Sequence, residues 1–88
     1  MRSQTVTVVN QLGMHARAAA KFVHLATRYE ARVKVARDRR EMDGKSILGL
    51  LLLAAARGSA IDIAADGPDE AQALDALGAL VARGFEEA

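Results

Sequence analysis

Apolar and polar side chains alternate in steps of two at three places in the chain, and apolar residues return at helical spacing between them. Thr5-Val6-Thr7-Val8, Arg32-Val33-Lys34-Val35 and Ile61-Asp62-Ile63 alternate. That period buries one face of each segment and leaves the other in water, which predicts half-buried strands. Arg40 to Asp43, after a turn at Asp38-Arg39, reads as a short further strand hairpinned onto the second. Ala16 to about Tyr29 predicts a helix, with Ala19, Phe22, Val23 and Ala26 as its core stripe. Arg17, Lys21, His24 and Arg28 follow at steps of four, three and four, so they share its exposed, basic face.

The run from Ile47 to Ala56 predicts a second, short helix, with Ser46 as N-cap and Gly58 as its stop. Asp66-Gly67-Pro68-Asp69-Glu70 is a helix start, because proline suits the first turn and acids complement the positive end. Leu74, Leu77, Leu80, Val81 and Phe85 then form the stripe of a third helix. The order is β-α-β-β-α-β-α. Strands with one apolar face and three helices to cover it predict an α/β (α+β) two-layer open-faced sandwich. In it a four-stranded antiparallel sheet is covered on one face. The 88 residues suit one domain over 1–88.

Composition narrows the function. Hydrophobic residues are 51% of the chain, enough for a packed core, and aromatics only 3%, too few for a base-stacking nucleic-acid module. Cysteine is absent and histidines number two, which excludes thiol nucleophiles and Cys-ligated metal sites and leaves too few ligands for a His-rich one. The ten-residue apolar run is half of what a bilayer needs (roughly 20 residues), so no membrane insertion is expected, and a cytoplasmic location is. The net charge of +1 conceals a split: residues 1–46 hold ten basic and four acidic residues, residues 47–88 two and seven. The split fits an acidic partner for one face, or simply opposite charges that meet in the fold.

The chemistry concentrates at Asn10 to Ala19. His15 stands where a turn gives way to a helix, outside the apolar stripe. It is either a terminal histidine without a task or a functional one. The functional reading has a mechanism. A helix N-terminus offers unpaired amides and partial positive charge to an anion such as phosphate, and Arg17 can bond a phosphoryl oxygen. The same positive end disfavours an imidazolium, keeping the ring a nucleophile. Gly44-Lys45-Ser46 imitates the end of a P-loop, but Arg39 stands where that motif needs its first glycine. A phosphoryl acceptor without a nucleotide site receives its phosphate from another protein.

Gly13-Met14-His15-Ala16-Arg17 resembles the active-site signature of the HPr family, the histidine-containing phosphocarriers of the bacterial phosphoenolpyruvate-dependent phosphotransferase system. Gly44-Lys45-Ser46-Ile47-Leu48-Gly49-Leu50 resembles that family's second signature, around a regulatory serine. The resemblance implies a stoichiometric phosphocarrier, not an enzyme, with no cofactor. It implies that enzyme I phosphorylates His15 on Nδ1 and that the group passes to a histidine of an enzyme IIA. Arg17 would stabilise the phosphoryl group, with the backbone amides of Ala16 and Arg17 as further donors. Ser46 would be open to an HPr kinase/phosphorylase, as its counterpart is in some bacteria. Ala18 departs from the family's usual proline, which costs some rigidity of the first turn.

The second helix is apolar all round, so part of it is either exposed as a contact patch or buried on more sides than a two-layer fold allows. The family resemblance favours docking there, with Ile47 and Leu48 in the patch and Arg17, Lys21 and His24 around it. A monomer suits such a shuttle. A nitrogen-type regulatory branch without sugar transport and a phosphorylation-independent regulator remain alternatives.

Overall fold

The computed structural model describes residues 1–87. Strand β1 covers Arg2–Thr7, helix α1 Ala16–Ala26, β2 Arg32–Arg37, β3 Arg40–Asp43, helix α2 Ile47–Leu53, β4 Ala60–Asp66 and helix α3 Glu70–Ala82. The strands form one sheet in the order β1-β4-β2-β3, antiparallel throughout. The period-two pattern sets its register: Val35 lies opposite Ile63, Ile63 opposite Gln4 and Ile61 opposite Val6. Val33, Val35, Ile61 and Ile63 are buried in one core with Phe22, Leu50, Leu53, Leu77 and Val81 from the helices. On the other face Lys34 pairs with Glu41 at 3.3 Å, and Thr5 donates its hydroxyl hydrogen to Asp62. The architecture is the predicted two-layer sandwich, open on one face.

Several boundaries differ from the sequence expectation. β1 begins earlier and ends at Thr7. Val8 is buried beyond it, its amide and carbonyl bonded to the turn at Gly58-Ser59 (2.9 and 2.7 Å). α1 stops at Ala26 instead of near Tyr29, because the amides of Arg28 and Tyr29 fall back on the carbonyls of Leu25 and Ala26 in a tighter turn. α2 ends at Leu53, capped by Ala54 in the left-handed conformation (φ 52°), and not at Gly58. Its last carbonyls have other donors: Arg37 Nη1 donates to Leu53 O (2.9 Å) and Arg40 Nη1 to Leu52 O (3.2 Å). Pro68 lies outside α3, whose first residue is Glu70. Asp69 accepts from the amides of Glu30 and Ala31 at 2.9 Å each, tying the entry of α3 to that of β2. Phe85 is buried, but in a separate turn over Gly84–Glu86 rather than on α3. Among the described residues, no helix is long and apolar enough to cross a membrane.

Candidate functional site

The turn before α1 is built around Gly13. Its φ of +66° is left-handed, and a Cβ there would stand 2.5 Å from the carbonyl oxygen of Ala55. Only glycine fits both demands. The Met14 amide donates to that same Ala55 oxygen at 2.9 Å, so the loop after α2 braces the turn. The turn delivers His15 as the N-cap of α1 in extended conformation (φ −77°, ψ 177°). The ring's Nδ1 accepts from the Arg17 amide at 3.3 Å, and the side chain keeps 24% of its surface exposed. The amides of Ala16 and Ala18 have no protein acceptor among the described residues, so donors and the positive end of an eleven-residue helix surround Nδ1.

The other nitrogen faces a residue that the sequence reading did not reach. His15 Nε2 lies 2.6 Å from Oε2 of Glu87. Glu87 is held in turn by Asn10, whose buried amide donates to its Oε1 (2.7 Å) and to Gly13 O (2.8 Å). The Asn10 hydrogen bond, joined by those of His15 and the charges of His15 and Lys21, holds the Glu87 carboxyl below the usual glutamate range against the opposing effect of desolvation. The Arg17 amide donates to Nδ1, so the neutral ring that this geometry suits has its lone pair on Nδ1 and its proton on Nε2, toward the Glu87 carboxylate.

The segment that brings Glu87 there is strained. Gly84, Phe85 and Glu86 have φ of +64°, +57° and +62°. Left-handed backbone costs a non-glycine residue roughly 1–2 kcal/mol. Burial of the Phe85 ring and a 2.8 Å bond from Lys21 Nζ to Phe85 O oppose that cost. The sequence carries one faint signal of this turn: Gly84, where a helix ends and a left-handed residue is wanted.

A polar groove lined by Arg17, Lys21, Arg57, Arg83, Glu86 and Glu87 meets the site at Arg17 and Glu87. The guanidinium of Arg17 has no hydrogen-bond or ion-pair partner among the described residues. Arg57 and Arg83 join it only through the fold. The two halves of the charge distribution do meet elsewhere: the N-terminal amine lies 3.6 Å from Asp66 and 3.3 Å from Glu70, and Arg2 3.7 Å from Glu70. His24 is exposed on α1, where its carbonyl accepts from the Thr27 hydroxyl. Lys21 is half-buried, its ammonium directed at the Gly84–Glu86 turn.

Ser46 caps α2, its hydroxyl oxygen accepting from the Gly49 amide at 3.0 Å. Gly49, Leu50 and Leu53 turn inward, while Ile47, Leu48, Leu51 and Leu52 are exposed, Leu48 by 67%. α2 packs against α1. The basic residues Arg17, Lys21, His24 and Arg28 line a hollow with Leu80 of α3 and Arg83. Leu12 and Val9, also exposed, line the groove that Arg17 and Lys21 share. The Lys45 ammonium donates to Tyr29 O at 2.7 Å, a structural use unrelated to phosphate.

The pattern of the family described as "PTS HPr component phosphorylation site" matches residues 2–83. The phosphocarrier protein HPr of Cupriavidus necator is 47% identical over 87 residues, 99% of this chain and 98% of that protein. A crystal structure of HPr-C-His from Thermoanaerobacter tengcongensis superposes with a TM-score of 0.96 at 34% identity, covering 100% of this chain and 99% of that one. A crystal structure of an HPr dimer from the same organism matches with a TM-score of 0.79 at 34% identity, over 99% of this chain and 100% of that one.

Proposed function

The chain belongs to the HPr family, the phosphocarriers of the phosphotransferase system, and on that premise we propose that it takes a phosphoryl group on Nδ1 of His15 from phosphorylated enzyme I and hands it to a histidine of an enzyme IIA. The observation that carries this reading is the placement of the two ring nitrogens. Nε2 is occupied by a carboxylate at 2.6 Å, and Nδ1 looks onto the first turn of α1. The Nδ1 lone pair forms the new N–P bond as the donor's P–N bond breaks, and the broken bond's electron pair stays with the donor's ring. The charge on the transferred oxygens meets the amides of Ala16 and Arg17 and the free guanidinium of Arg17. The chain turns nothing over alone; it is a stoichiometric carrier.

The partner surface in this reading is the exposed side of α2, with Ile47 and Leu48 at its centre, bordered by Arg17, Lys21 and His24 of α1. Ser46 adds a regulatory position: a phosphate there sits at the α2 start, beside the patch, where its charge repels acidic partners. The carrier acts in the cytoplasm and serves sugar uptake. Its working form is a monomer, and since an HPr dimer is among the solved relatives, light scattering of the free chain checks this. Incubation with phosphoenolpyruvate and enzyme I tests the whole reading. One acid-labile, alkali-stable phosphate is expected, absent in His15→Ala; normal labelling of that variant overturns the site.

A further inference from the structure

We infer that Glu87 is a positioning residue for transfer: it keeps the His15 proton on Nε2 in both half-reactions, so that the phosphoryl group arrives at a lone pair and, on departing, leaves a neutral imidazole behind. This inference rests on the proposed carrier function and extends it to a residue outside both signatures.

The geometry is built rather than incidental. Three successive left-handed residues, Gly84 to Glu86, redirect the chain after α3 so that residue 87 lies over the start of α1. Lys21 pins the turn through Phe85 O, Phe85 anchors it in the core, and the Glu87 amide closes on Gly84 O at 3.1 Å. Both carboxylate oxygens are used, Oε1 by Asn10 and Oε2 by His15. Asn10 donates both amide hydrogens, one to Glu87 and one to Gly13 O. Reversing that amide would set its oxygen against two acceptors, so its orientation is determined.

The chemical consequence concerns departure as much as arrival. When the N–P bond of phosphorylated His15 breaks, its electron pair returns to Nδ1. With the proton retained on Nε2, the leaving group is neutral imidazole; without it, an imidazolate anion must leave. A carboxylate at 2.6 Å favours the protonated Nε2 throughout.

The test compares two substitutions in the full chain. In Glu87→Gln, Asn10 holds the new carboxamide oxygen, which turns its NH₂ toward Nε2. A donor there calls for a lone pair on Nε2 and moves the ring proton to Nδ1. Glu87→Ala merely opens the ring to water. Nitrogen NMR of the unphosphorylated ring is expected to show the proton on Nε2 in the native chain and displaced toward Nδ1 in Glu87→Gln. Phosphorylation by charged enzyme I is expected to slow by about tenfold or more in Glu87→Gln and by less in Glu87→Ala. A packing role predicts the reverse ranking, since glutamine is nearly isosteric with glutamate. Unchanged ring nitrogens in both variants, or glutamine tolerated better than alanine, overturns the inference while a labelled His15 leaves the carrier function standing. A native chain that takes no phosphate removes the carrier function, whereas the nitrogen spectra still report on Glu87.

Discussion

Arg17 and Gly13 flank His15 and act in different ways, so their substitutions separate chemistry from architecture. Arg17 is exposed and has no partner within the described chain, so Arg17→Ala removes nothing the fold uses. It should slow phosphoryl transfer by roughly ten- to a hundredfold, equivalent to one charge-assisted hydrogen bond of about 1.5–3 kcal/mol, with the melting temperature unchanged. Stopped kinetics and thermal denaturation of the same sample check both halves. Gly13→Ala should do the reverse, costing about 1–3 kcal/mol of stability, because an added Cβ meets Ala55 O at 2.5 Å in a left-handed backbone. His15, Arg17 and Ser46 were legible in the sequence because local signals announce them: a turn, a helix start, a cap. Glu87 was not. Its partner is 72 positions away, and the turn that carries it contradicts the local preference of Phe85 and Glu86. Phe85 continued the apolar stripe of α3, and burial alone does not reveal that the helix has already ended.

At the scale of elements, α2 is short and owes its start to one hydroxyl. Ser46→Ala should lower stability by about 1 kcal/mol, measurable by chemical denaturation, while Ser46→Asp, which also caps, should not. Leu48→Glu tests the outer side of the same helix. With 67% of its surface exposed, Leu48 can change without disturbing the core. Titration calorimetry should find weaker enzyme I binding at an unchanged melting temperature; lost stability with unaltered affinity would make Leu48 a packing residue. That side of α2 was foreseeable, since an all-apolar helix over a two-layer fold has more apolar surface than the core can take. Its length was not. The run Ile47 to Ala56 gives no sign of an end at Leu53, because the donors that satisfy the last carbonyls, Arg37 and Arg40, come from the β2–β3 hairpin. Likewise Pro68 marked the neighbourhood of α3 but not its first residue, which depends on Asp69 turning toward β2.

For the whole molecule, three carboxylates join separate parts of the chain: Asp69 ties α3 to β2, Glu70 the loop at Gly67 and the N-terminus, and Glu87 the last turn to α1. Each is held below its usual range, chiefly by hydrogen bonds from Glu30, Gly67 and Asn10 respectively. A depressed carboxyl stabilises the fold above its unfolded titration and loses that contribution as pH falls through the folded one. The melting temperature should therefore hold above about pH 5 and decline below about pH 4. Glu87→Ala should shallow that decline, and a scan series in dilute salt would show it. The strands, the β2–β3 hairpin and the face that packs were readable from alternation and turn residues, whereas the neighbour order β1-β4-β2-β3 is fixed by contacts distant in sequence. The convergence of the turn before α1, the loop after α2 and the strained turn after α3 was not readable either, because each is fixed by a bond to another. At their meeting point lies Nδ1 of His15, and phosphorus NMR of the chain, nitrogen-labelled at its histidines and charged through enzyme I, reports which atom takes the phosphate. A single phosphorus coupled to Nδ1 of His15 is expected. Phosphate on Nε2, on His24, or on no histidine at all overturns the assignment.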